Sequence, residues 1–146
     1  MAVKAGDLES ELIDTVCEQV RDELPDEEVA AAEAFVRQYY HWVPPEDLGE
    51  RDTCDLYGAA ISHWKLARER SPGQAKVRVY NPDRERDGWS SPHTVLEIVS
   101  DDMPFIVDSV TMELAKAGLT IDLVIHPVIR VRRDEQGRLV EVLPAG

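Results

Sequence analysis

Between His93 and Leu143 the apolar pattern switches from strand to helix and back to strand, an order that few folds accept. Thr94 to Val99 is mostly apolar, with Glu97 as the exception, as expected of a central strand covered on one face. Ser100, Asp101 and Asp102 offer an N-cap, and Pro104 falls near the first helical position, where its missing N–H costs little. Ile106, Val107, Val110, Leu114 and Ala117 form one helical stripe, and Gly118 is a natural C-terminal cap. Ile121 to Val131 then alternates with period two, with Pro127 in its middle, which implies an edge or a bulge. Asp134 to Gly137 reads as a hairpin turn and Leu139 to Leu143 as the returning strand. Strand, helix, strand, turn, strand is more than half of a split βαβ sandwich, which adds a second helix and a last strand. The pattern therefore predicts a module, incomplete at its C-terminal end near Gly146, and not a complete catalyst.

The first half has helical spacing. Leu8, Leu12, Ile13, Val16, Val20 and Leu24 lie on one side of a first helix that Pro25 ends. A second helix runs from Pro25 to about Tyr40, capped by Asp26, with Val29, Ala32, Phe35, Val36 and Tyr39 inward. After Pro44-Pro45 a third runs from about Asp47 to Arg70, its inner side marked by Leu48, Leu56, Ala59, Ala60, His63 and Leu66. Ser71-Pro72-Gly73 is a stop. Lys76 to Tyr80 alternates as a strand, and Asp83 to Pro92 is a polar loop. The fold class expected is α+β. A helical segment of about three helices, residues 1–72, precedes a ferredoxin-like, mainly antiparallel sheet with one crossover helix, residues 73–146.

At 146 residues the chain can hide roughly 70% of its unfolded surface, so a real core is possible. The net charge of -13 is concentrated early. Residues 1–70 carry 7 basic and 17 acidic side chains, against 9 and 12 in residues 71–146. Such a surface repels phosphate backbones and anionic lipid, so neither a nucleic acid nor a membrane is an expected partner. The first residues lack the apolar run of a signal peptide, and no run approaches the roughly 20 residues of a membrane span. The expectation is a cytoplasmic protein. Cys17 and Cys54 are read as buried or half-buried thiols in a reducing compartment.

Candidate chemistry is sparse. Asp101, Asp102 and Asp108 cluster at a strand-to-helix turn, where paired carboxylates can bind metal or shift a pKa. The simpler reading is a helix cap with a favourable dipole. His41, His63, His93 and His126 have no ligand at metal spacing beside them, so no metal site is expected. His126, between Ile125 and Pro127, reads as a hydrogen-bonded structural residue. No Gly-rich phosphate loop occurs, and no Ser, Cys or Thr has a local base. Tyr39-Tyr40-His41-Trp42 and His63-Trp64 read first as packing between helices, with an exposed partner-binding patch as the alternative.

Tyr40-His41-Trp42-Val43, Asp55-Leu56-Tyr57-Gly58-Ala59, His63-Trp64, Val77 to Pro82, Trp89 to Thr94, Asp101 to Ser109 and His126-Pro127 occur here in a distinctive order and spacing. From about residue 30 onward the chain resembles the extreme N-terminus of the large bacterial NAD-dependent glutamate dehydrogenases. That resemblance implies a parent that oxidises L-glutamate to 2-oxoglutarate and ammonia with NAD. The family's catalytic lysine and aspartate and its nucleotide-binding glycines lie outside the resembling stretch. No catalytic, cofactor or metal residue is therefore carried over to this chain. The second half also resembles the ACT domain, a module that often senses amino acids and opens its first helix with Asp-x-Pro-Gly. Asp102-Met103-Pro104-Phe105 matches three of those four positions. Phe105 stands where glycine lets a ligand approach, and a phenyl ring is expected to crowd or plug that spot.

These resemblances imply a non-catalytic regulatory or assembly module. Its expected partners are downstream catalytic domains or other subunits of a homo-oligomeric parent, reached through a sheet edge or the helix face around Phe105. The alternative is an amino-acid effector site at Ser100, Asp101, Asp102, Met103 and Phe105, where backbone N–H groups at a helix start can hold a carboxylate. An independent small enzyme needs a nucleophile or base beside an orienting partner, and none is visible.

Overall fold

A computed structural model describes residues 5–41, 43–49 and 51–144, with side chains from residue 10 onward. Trp42, Gly146 and the side chain of Leu8, which figure in the sequence reading, lie outside this description. Helix α1 spans Ala5–Glu23, α2 Asp26–Tyr40, α3 Pro45–Gly49 and α4 Thr53–Ala67. They are followed by β1 (Lys76–Tyr80), α5 (Arg84–Asp87), β2 (Val95–Val99), α6 (Ile106–Lys116), β3 (Val131–Arg133) and β4 (Leu139–Val142). The architecture is α+β. β1 pairs antiparallel with β2, and β3 with β4, as two separate two-stranded sheets.

The core lies among α1, α2 and α4. Ile13, Val16, Cys17 and Val20 of α1 meet Ala32, Phe35 and Val36 of α2 and Ala60, Ile61 and Trp64 of α4. Tyr39 and Tyr40, at the end of α2, are buried in the same cluster. Phe35 lies 5.5 Å from the Trp64 ring, and Tyr39 and Tyr40 meet edge to face at 4.9 Å. These aromatics are internal packing and form no exposed patch.

Several details differ from the sequence expectation. The third helix is two, because the chain turns after Gly49 and Asp52 restarts it by accepting a hydrogen bond from the Cys54 N–H. Asp26 does not cap α2; Pro25 holds that position without a side-chain hydrogen bond. The polar loop contains α5, whose start is capped by Asp83 and whose end is the left-handed Gly88. The Asp83 N–H also donates to Asp87, and this bond holds the Asp87 carboxyl below its usual range. Cys17 is buried, whereas Cys54 is exposed and not half-buried as expected.

The largest difference concerns Ile121 to Val131. Only Val131 enters a ladder. Residues 122–131 still alternate between exposed and half-buried, the signature of extended chain. Period two reports two faces; it does not supply a neighbouring strand.

Contacts cross the Ser71–Gly73 stop at several points. The Leu139 N–H donates to the Arg68 carbonyl at 2.7 Å and the Arg70 N–H to the Gly137 carbonyl at 2.9 Å. Gln38 donates to the Leu143 carbonyl, and Val142 joins the helical core.

Candidate functional site

Helix α6 positions the site. Its apolar stripe, Ile106, Val107, Val110 and Leu114, is only half-buried, and the helix buries none of its residues. Facing it are Leu96 and Ile98 of β2 and the extended segment with Leu123, Ile125 and Ile129. Between them runs a groove of about 640 Å³. Phe35, Tyr39 and His63 contribute to its lining from the helical core, and Arg70 and Arg133 are its basic members.

The sequence-predicted residues Ser100, Asp101, Asp102, Met103 and Phe105 all line this groove, at the start of α6. The predicted cap is absent. Phe105 itself occupies the N-cap position, and no side chain caps the helix. The three aspartates are exposed. Asp101 instead reaches Arg70 at 2.6 Å. Phe105 adopts φ 66°, the only non-glycine residue with positive φ among those described. The backbone thus keeps the left-handed conformation that glycine favours, at a cost of about 1–2 kcal/mol for an L side chain. The phenyl ring does not plug the turn. It stands outward, 74% exposed, beside Met103.

Beneath the groove the helical core and β2 are joined by hydrogen bonds. Tyr39 Oη lies 3.2 Å from His63 Nδ1, and His63 Nε2 lies 3.0 Å from the Ile98 carbonyl oxygen. The imidazole therefore bridges α2 and β2. On the other face of β2, Glu97 is the one buried charged residue among those described. It is the cross-strand partner of Arg78 and accepts a hydrogen bond from Tyr80 Oη at 3.3 Å. Arg78 stacks its guanidinium 3.7 Å from the Tyr80 ring centroid and donates to Ser62 of α4. The sequence carried a signal for this knot: a lone glutamate in an apolar strand, opposite an alternating Arg-x-Tyr strand. The Tyr39–His63 bridge had none, since its members lie 24 residues apart.

His126 does not match its predicted role. It is exposed on the wall of the groove and makes no hydrogen bond among the described residues. No group of three or more His, Cys, Asp or Glu among the described residues is placed to hold a metal. No described helix is long and apolar enough to cross a membrane.

The buried phenols set a pH limit. Burial pushes Tyr39 and Tyr40 well above their usual value, with the Glu97 carboxylate adding to Tyr39. Burial and then Glu23 push Tyr57 up to about 12. Folded values above the unfolded value of about 10 mean that this stability is intact below pH 10 and lost as pH rises toward the folded values. Urea unfolding midpoints should therefore fall from about pH 10 upward. Each fully buried phenol adds a slope of about 1.4 kcal/mol per pH unit. Tyr39→Phe should flatten that slope, and an unchanged slope would remove Tyr39 from the account.

The model of the family described as "Glutamate dehydrogenase, ACT1 domain" matches residues 35–146. The chain belongs to this family. Its match begins inside α2 and includes α4, the groove and both sheets. The chain is similar to the NAD-specific glutamate dehydrogenase of Halomonas elongata, 39% identical over 132 residues, 90% of this chain and 8% of that protein. It is 40% identical over 123 residues, 84% of this chain, to that of Pseudomonas aeruginosa, again 8% of the relative. The NAD-specific glutamate dehydrogenase of Mycobacterium tuberculosis is 30% identical over 103 residues, 70% of this chain. The chain thus spans about 8% of the length of the first two curated relatives. No solved structure matches it.

Proposed function

We propose that this chain is a non-catalytic regulatory and assembly module of a large cytoplasmic NAD-dependent glutamate dehydrogenase. The parent reaction is the oxidative deamination of L-glutamate to 2-oxoglutarate and ammonia, a step of amino-acid catabolism. The observation that carries this reading is the groove: an apolar helix stripe and a strand-like segment stand apart, with Met103 and Phe105 exposed on the rim. Exposed apolar surfaces of this kind mark contacts with another domain or subunit, or ligand grooves. The proposal assigns NAD to the parent and not to this chain, a reading supported by the exposed carboxylates of Asp101, Asp102 and Asp108 at the start of α6, which repel a pyrophosphate.

Removing the aligned segment from the Halomonas elongata relative tests the proposal. The expected result is a changed mass by light scattering or a lost response to effectors. The isolated chain should form no NADH from glutamate. An unchanged mass and an unchanged effector response would count against the module.

A second reading is favoured by Phe105. Its left-handed backbone supports this reading, because it is a conformation that the glycine of Asp-x-Pro-Gly adopts freely, and Ser100, Asp101, Asp102 and Met103 line the same groove. Titrating this chain with amino acids at millimolar concentration, read by chemical shift, should move the amides around Asp102. No movement retires the effector.

A further inference from the structure

The segment 121–130 behaves as a strand whose neighbour is missing. Among the described residues, the backbone of residues 120–129 makes no backbone hydrogen bond to any other segment. Its direction and register are nevertheless set, because it runs straight into β3. The Leu143 N–H donates to the Arg130 carbonyl at 2.8 Å, in register with Val131↔Val142 and Arg132↔Glu141. Arg130 and Arg132 therefore turn their backbone groups toward β4. N–H groups alternate between the two edges of a strand. Asp122, Val124 and His126 thus present intact N–H and C=O groups on the β4 side.

The prolines agree with this edge. Pro127 has odd parity, so its missing N–H falls on the edge away from β4. Pro144, one residue beyond Leu143, faces Ile129 in the same register at a non-hydrogen-bonded pair, where its missing N–H points outward. Proline is tolerated at such positions and would break a ladder at the neighbouring ones. Both prolines thus leave the Asp122–His126 edge free to pair.

We propose that this edge receives an antiparallel β-strand in line with β4, donated by polypeptide outside these 146 residues, of the kind the longer relatives carry. The inference rests on the reading of the chain as a module of a larger protein. That source follows from length: the matched stretch is 8% of the Halomonas elongata relative, so chain able to supply a strand is abundant there. The groove that this segment lines also holds Ile98, Val110 and Leu114, apolar side chains that the alternate residues of a strand can cover and a small polar ligand would leave wet.

Amide hydrogen exchange decides the matter. In this chain the amides of residues 122, 124 and 126 are expected to exchange quickly at every concentration. In the full-length Halomonas elongata relative the aligned amides should exchange about 100-fold more slowly or beyond. Equal rates in the two proteins would overturn the proposal. So would protection in the monomeric 146-residue chain, which would mean an internal partner. Protection that grows with concentration, together with a doubled mass, would hand the edge to a second copy instead. In the relative, proline at the position aligned with Val124 should release the protection. Proline at the position aligned with Ile125, on the Pro127 edge, should spare it; equal effects sink the edge assignment. Removing the whole module reads assembly through mass, so the strand can fail while the module reading stands.

Discussion

Gly137→Ala is expected to destabilise the fold by about 3 kcal/mol. Gly137 closes the β3–β4 turn at φ 81°, and a Cβ there would lie 2.5 Å from the Arg70 carbonyl oxygen and 2.9 Å from its carbon. Two costs combine. A left-handed L residue costs about 1–2 kcal/mol, and overpacking against backbone that cannot swing aside adds about 1–3 kcal/mol. The contact is where the hairpin docks on the helical half. The Gly137 carbonyl accepts from the Arg70 N–H and from Arg133 Nη1 at 3.0 Å, and the Arg68 carbonyl receives the Leu139 N–H beside it. Gly73→Ala is the control. Gly73 has φ 75°, but a Cβ there would meet nothing within 4 Å, so only the backbone strain of about 1–2 kcal/mol applies. Urea denaturation of both variants separates strain from docking. Equal losses would show that the close approach to Arg70 carries no energy.

How far the sequence could be read follows from what each element depends on. The helical half was legible because its inner positions repeat locally: Ile13, Val16, Val20, Ala32, Phe35 and Val36 are buried where the period places them. Trp64 was read as packing and is buried, but Ile61 was not marked although it is just as buried. The start of α6 was misplaced because Ser100, Asp101 and Asp102 are good caps in isolation. Here Asp101 is drawn to Arg70, and the turn is made by Phe105. That pairing joins residues 31 apart and has no local sign. His126 was assigned a partner because it sits in an apolar alternation, yet the alternation belongs to a segment with no adjacent strand. All five predicted effector residues do share one groove wall. The groove itself could not be read from the chain, since it is defined by what does not approach α6.

Local propensity also gives the wrong sign at Gly58, where alanine is expected to destabilise by about 2 kcal/mol. Gly58 lies inside α4, and replacing a mid-helix glycine by alanine ordinarily gains about 1 kcal/mol. Here a Cβ would lie 2.3 Å from Trp89 Cγ, 2.4 Å from its Cβ and 2.5 Å from its Cδ1. The near atoms are the root of the side chain, so a rotamer change at its tip does not relieve them. The indole, 5% exposed, must leave its seat and take the β1–β2 connection with it. That connection is otherwise held by Asp55, which accepts from the Ser90 N–H at 3.2 Å and from Arg84 at 3.4 Å. Thermal unfolding of Gly58→Ala should show the lowered midpoint, and tryptophan emission should shift to the red as Trp89 becomes wet. A double-mutant cycle isolates the cause. With Trp89→Ala made first, Gly58→Ala should turn neutral or stabilising by about 1 kcal/mol, because only the helix preference remains. If Gly58→Ala costs the same in both backgrounds, the indole is not what demands a glycine, and the close packing of Trp89 on α4 is not what fixes β1 and β2 against the helical core.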